Sequence, residues 1–144
     1  MSDTDIGYYR AQDILDRIEF VRKKKAMYAS HLSKALGKCS AYWSVKYDAV
    51  NALRLSTAMK IAKAIDKSVE YILYGTNDGP YTEKDIDIRR LPEYTFNKKN
   101  KLTGSQRSIL SRIRQGKQND IQMDIFFSIE EIIGKNLLKI ITKD

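Results

Sequence analysis

The chain has 144 residues, 42% of them hydrophobic and spread along its length, with seven glycines and only two prolines, Pro80 and Pro92. This composition excludes global disorder and leaves long stretches free to be helical. A formal net charge of +8, from 26 Lys and Arg against 18 Asp and Glu, favours a polyanionic partner and says nothing about fold. β-branched runs alternating with polar residues are scarce, so an all-α protein is expected, as one domain or as two small ones near the lower size limit.

The N-terminal "MSDTDIGYYRAQD" is acidic and lacks an apolar core, unlike a signal peptide. In "AQDILDRIEFVRKKK", Ile14, Leu15, Ile18 and Val21 form an apolar stripe at helical spacing. The stretch ends in Arg22, Lys23, Lys24 and Lys25, cations that suit a helix C-terminus and are read as solvated surface. "MYASHLSKALGK" predicts a short helix with Leu32, Ala35 and Leu36 inward, stopped by Gly37. A third helix is expected in "SAYWSVKY". "STAMKIAKAID" follows, with Ser56 as N-cap and Met59, Ile61, Ala62 and Ile65 apolar. "SVEYILYG" closes the unit, capped by Ser68 and ended by Gly75. In "YGTNDGPYTEKD", Gly75, Asn77, Gly79 and Pro80 are turn residues, and Thr82 with Asp85 can cap a new helix. The expected organisation is a unit at 11–75, a linker at 76–81 and a second unit at 82–144.

The second half repeats the plan of the first. At an offset of 67 residues Gly37 falls on Gly104 and Trp43 on Leu110. After one inserted residue, at an offset of 68, "RLSTAMKIAKAIDKSVEYIL" (54–73) lies on "QMDIFFSIEEIIGKNLLKII" (122–141) without gaps. Ile61 then matches Ile129, Ile65 matches Ile133, Lys67 matches Lys135 and Ile72 matches Ile140. Four identities in twenty are few, but the apolar register is shared, which argues for an internal duplication.

The charge is distributed as two islands. From Arg22 to Lys63 there are ten cations and one acid, Asp48; from Lys98 to Lys117 there are seven cations and no acid. Such islands look like two anion-facing surfaces. A lone cysteine, Cys39, rules out an intramolecular disulfide and fits a reducing cytoplasm. No apolar run approaches the roughly 20 residues that span a bilayer, so no membrane partner is expected.

With these residues in view, the chain resembles the phage-repressor-like (Cro-repressor-like) helix-turn-helix proteins. The resemblance rests on "RIEFVRKKKAMYASHLSKALGKCSAYWSVKY" followed by "LSTAMKIAKAIDKSVEYILYG", and covers about residues 13–75 without gaps. In the second half, "LTGSQRSILSRIRQGKQNDIQMDIFFSIEEIIG" resembles the turn, recognition helix and fourth helix of the same five-helix domain. The resemblance therefore implies two tandem helix-turn-helix domains, double-stranded DNA as partner and no cofactor. Two helices packed steeply need a small residue at their crossing and a tight turn, places that suit Ser33 and Gly37. The second helix of such a pair packs one face inward, here through Trp43 or Leu110, and lays the other in the major groove.

That assignment turns Ser40, Ala41, Ser44 and Val45 outward in the first copy, with Lys38 and Lys46 able to reach phosphates. In the second copy it turns Gln106, Arg107, Ser111 and Arg112 outward, with Ser105 near the cap. Arg114, Lys117 and Asn119 follow on a loop that in this family lies against the phosphate backbone. Gln and Arg are the side chains suited to bidentate contact with adenine and guanine, so the second copy is the better equipped. Both copies depart from the family pattern. Lys38 stands where an apolar residue is usual and Ala49 where a loop glycine is usual. Asn100 and Lys101 occupy places that favour small, buried residues.

No enzyme is expected. His31 and Cys39 lack an acid to orient the imidazole, one His and one Cys cannot furnish a zinc site, and "IEEI" (129–132) reads as an exposed acid pair. The expectation is a cytoplasmic transcriptional regulator of repressor type, preferring an inverted repeat if homodimeric. Two units in one chain could instead read one asymmetric site. The rival class is a protein-binding module, an antitoxin or a nuclease inhibitor that keeps the scaffold for autoregulation.

Overall fold

The structure, a computed structural model, describes residues 2–47 and 53–143, with backbone alone for Val45, Lys46, Tyr47 and Lys99. The described residues are predominantly helical and contain no strand beyond two isolated bridges. In chain order the helices are α1 (Asp3–Lys24), α2 (Ala29–Ala35), α3 (Tyr42–Tyr47), α4 (Leu55–Ala64), α5 (Val69–Tyr74), α6 (Arg90–Thr95), a 3-10 helix (Phe96–Lys101), α7 (Gly104–Arg114), α8 (Met123–Ile133) and α9 (Leu137–Ile141). No helix among the described residues is long and apolar enough to cross a membrane. Apolar side chains from α1 through α9 join in one buried cluster.

The acidic N-terminus begins a helix. Ser2 and Asp5 form a capping box, and Asp3 and Asp5 place negative charge where the helix dipole favours it. The result is a helix of 22 residues that serves two partners. Ile14, Leu15, Ile18 and Val21 are buried as expected, and Arg17 donates to the carbonyls of Ile72 and Leu73 at 3.0 and 2.8 Å, holding the end of α5. The N-terminal part lies along α8, in the most extensive helix–helix packing among the described residues. Gly7 permits that approach, because a Cβ there would stand 2.3 Å from the Asp124 carbonyl oxygen. At the other end Lys23, Lys24 and Lys25 are exposed as expected, and Arg22 is half-buried. Arg22 is tied to Glu19 and to the Met27 carbonyl, and Lys25 donates to the Ile65 carbonyl at 2.5 Å.

Several local expectations need correction. Ala35 is exposed, not inward. The Ser33 hydroxyl accepts from the Trp43 amide at 2.8 Å and donates to the Ala29 carbonyl, so α2 buries the face of Leu32 and Ser33 and leaves Ala35 outside. Ser56 is not an N-cap: α4 starts at Leu55 behind Arg54, without a side-chain cap, and the Ser56 hydroxyl bonds Asp120 instead. Thr82 starts no helix. The backbone beyond it is extended and pairs with the end of α9, with Asp87 donating to the Ile141 carbonyl and Lys143 to that of Asp85, each at 2.7 Å. Ala49 lies outside the described residues.

Between 54–73 and 122–141 the elements coincide at the offset of 68. Leu55 and Met123 open α4 and α8, and Ser68 and Asn136 cap α5 and α9 through the amides of Tyr71 and Lys139. Asp66 and Gly134, also equivalent, both take the left-handed conformation, at φ 54° and 72°. The earlier offset of 67 pairs Trp43 with Leu110, both buried, but not their turns. Gly37 is left-handed after α2, whereas Gly104 is the first residue of α7, because the Thr103–Gln106 capping box starts that helix early.

The equivalent segments meet. Arg54 and Gln122 oppose one another in an antiparallel bridge, flanked by Leu55 N–H to the Ile121 carbonyl (2.9 Å) and Met123 N–H to the Leu53 carbonyl (2.8 Å). Shifting either bond by 68 residues turns it into the other. A local twofold axis therefore passes between Arg54 and Gln122.

Candidate nucleic-acid interface

Eleven residues form α7, and its inward face is Gln106, Leu110 and Ile113, spaced at i, i+4 and i+7. Gln106 was expected outward. It is 4% exposed, its side chain completes the capping box with Thr103, and its Nε2 donates to Ser128 Oγ at 3.0 Å. It fastens α7 to α8 and is removed from the candidate contacts for that reason. The cap is Thr103, two positions before the exposed Ser105.

Opposite the buried face, α7 exposes two stripes. One is Arg107, Ser111 and Arg114; the other is Ser105, Ser108 and Arg112. No acid interrupts either. Arg112 Nε donates to Gln118 Oε1 at 3.1 Å, which orders the loop that follows the helix. The Arg114 guanidinium stands 5.4 Å from the centre of the half-exposed Phe96 ring, beside a hollow of about 190 Å³ between α7 and the end of α6. Lys117 and Asn119 are exposed, beyond the helix-ending Gly116. Asn100 and Lys101, at places favouring small buried residues in the resemblance, are exposed in the 3-10 helix.

The loop after α7 borders an open cleft of about 490 Å³ at the local twofold axis. Arg54, Arg112, Lys117 and Asn119 lie along it, and Ile109, Ile121 and Ile125 form apolar wall. Among the described residues its one acid is Asp120, engaged by the Ser56 hydroxyl and by the amides of Ser56 and Ile121. The positive charge along this cleft comes from both halves of the chain, Arg54 from one and Arg112 and Lys117 from the other. Arg54 was missed as a site residue, although its membership of the first basic island and its equivalence to Gln122 were visible. Ser108, also missed, follows from helical spacing once Gln106 is placed inside.

In the first half of the chain, Trp43 is buried at 1% exposure and its indole N–H donates to Glu19. Glu19 accepts from Arg22 at 2.7 and 2.8 Å, and that hydrogen bonding holds its carboxyl below the usual range against the opposing effect of burial. Ser40, Ala41 and Ser44 are exposed around the start of α3, and Lys38 stands 5.6 Å from the Tyr42 ring. The side chains of Val45 and Lys46 lie outside the described residues. This surface carries smaller groups than α7.

The acid pair of "IEEI" is not simply exposed. Glu130 is buried and accepts from Arg10 (2.5 Å), Tyr74 (2.7 Å) and the Leu137 amide (2.9 Å), while Glu131 pairs with Arg10 at the surface. Every polar partner of Glu130 is thus structural. No protein-family model matches the chain, and neither does any curated protein or solved structure.

Proposed function

We propose that the chain is a sequence-specific, double-stranded-DNA-binding transcriptional regulator with two repressor-like helix-turn-helix units. In this reading α2 and α3 form the first pair, and the 3-10 helix and α7 the second. The observation that carries it is the acid-free outward face of α7, continued by Arg54 and Lys117 around the adjoining cleft. Lys117 and Arg114 neutralise phosphates, which supplies affinity and a steep salt dependence. Arg112 reaches base edges, where a guanidinium matches the paired acceptors of guanine. Arg107 and Ser111 add contacts from the neighbouring stripe.

Selection of bound fragments from a random duplex library, at two salt concentrations, tests the reading. Enrichment of a defined motif, with affinity falling steeply as salt rises, supports it. Recovery of no preferred sequence, with binding gone at physiological salt, overturns it and leaves the protein-binding class.

A further inference from the structure

The antiparallel pairing of Arg54 with Gln122 joins equivalent positions of the two halves. Two identical chains associating through a twofold axis would place the same pair of segments in the same way, because an isologous contact sets each residue against its own counterpart. Here one chain supplies both partners. The backbone donors and acceptors at Leu53, Leu55, Ile121 and Met123 are satisfied within it. Ser56 and Asp120 add a further hydrogen bond across the same junction. The edge that a second copy would need is occupied.

We infer that one chain acts as a complete, built-in dimer, and engages a bipartite and imperfectly palindromic DNA site as a monomer. This inference rests on the proposed DNA-binding function. Operator symmetry mirrors protein symmetry, so an axis that relates the two units calls for two half-sites about one helical turn, ~34 Å, apart. The axis relates backbones, not side chains. At the offset of 67, Ser40, Ala41 and Ser44 correspond to Arg107, Ser108 and Ser111, and Val45 to Arg112. The half-sites must then differ in sequence, and the half under α7 carries the stronger base preference. Residues 115–120 form a short connection from α7 to the axis. Arg112 and Lys117 flank the cleft at the axis itself, where they face the centre of the operator.

Native mass spectrometry and footprinting of the full chain on the duplex enriched by selection test this. The expected complex holds one 16.6 kDa chain per duplex, with two unlike protected segments. Arg112→Ala should relax preference in one segment and leave the other unchanged. Two chains on a symmetric site would overturn the inference while leaving the DNA-binding reading in place. Sedimentation of the free chain gives a second readout: a concentration-independent monomer supports the built-in dimer, and a dimer that dissociates on dilution opposes it. Absence of any preferred duplex overturns the function, and with it this inference.

Discussion

Arg10 Nη2 lies 2.5 Å from Glu130 Oε1, joining α1 to α8 across 120 residues of sequence. The guanidinium also stands 4.0 Å from the centre of the Phe127 ring. Removing Arg10 strips a mostly buried carboxylate of its charged partner. Breaking a fully buried pair costs about 3–5 kcal/mol, but the Arg10 side chain is 26% exposed. Arg10→Ala is therefore expected to cost ~1–3 kcal/mol in urea denaturation, after allowing for screening. Replacing both partners by neutral groups, as Arg10→Met with Glu130→Gln, keeps an acceptor for Tyr74 and the Leu137 amide and should recover part of the loss.

Tyr74 shares that carboxylate. Burial first, and the Glu130 charge second, hold its phenol well above the ordinary tyrosine range. The folded chain therefore keeps a proton that the unfolded chain releases near pH ~10. Its contribution is complete below that pH and is lost as pH rises beyond it. Tyr74→Phe should flatten the alkaline fall in stability between about pH 10 and 12, as measured by denaturation at stepped pH.

These networks mark where sequence reading reaches and where it stops. The burial of Trp43, Leu110 and Ile113 follows from helical spacing, as does the exposure of Arg112, while Lys117 is exposed on the loop beyond Gly116. The shared register of 54–73 and 122–141 was legible because apolar residues recur at equivalent places, and α4, α5, α8 and α9 follow it. Glu130 escaped because its partner lies 120 residues away and nothing local signals burial. Gln106 escaped because a capping glutamine and a base-reading glutamine look alike until the helix start is known. The N-terminal part of α1 escaped because Gly7 interrupts the apolar stripe that would have announced a packed face. The twofold pairing needs three-dimensional adjacency, which an offset of 68 cannot supply.

Gln106, Arg112 and Lys117 separate stability from recognition. Gln106→Ala removes half of a capping box and the bond to Ser128, and should cost ~0.5–2 kcal/mol in chemical denaturation without changing which base is preferred. Arg112→Ala should shift stability by less than ~0.5 kcal/mol yet cost ~1–3 kcal/mol in discrimination at one base pair. Lys117→Ala should weaken all sequences alike and lower the salt slope by about one. Fluorescence-anisotropy titrations on matched and single-mismatch duplexes distinguish the three.

Acid sensitivity should centre on Glu19. Its carboxyl is held down first by hydrogen bonding to Arg22, with the Trp43 indole adding to the effect and burial opposing it. The unfolded chain binds the proton more tightly, so this stabilisation is complete above the ordinary glutamate value of ~4.3 and is lost as pH falls through the lower folded value. Trp43 is the single tryptophan and touches the group, so its fluorescence reports the loss directly. Glu19→Gln should reduce the acid-side slope and lower stability by about 1–3 kcal/mol at neutral pH.

Gly7 gives the sharpest test of how the two halves are held together. A methyl group at this position would meet the Asp124 carbonyl oxygen at 2.3 Å and the Ser128 amide nitrogen at 2.9 Å, both backbone atoms of α8. Neither can yield without moving the helix. In an exposed helix interior Gly→Ala stabilises by up to ~1 kcal/mol, so the sign of the effect is diagnostic. Overpacking of this kind costs about 1–3 kcal/mol or more, which outweighs the propensity gain. Gly7→Ala should therefore lower the midpoint of unfolding. Amide exchange should quicken in the N-terminal turns of α1 and in α8, while α4 and α5 keep their protection. A stabilised variant would mean that α1 does not approach α8 at this point.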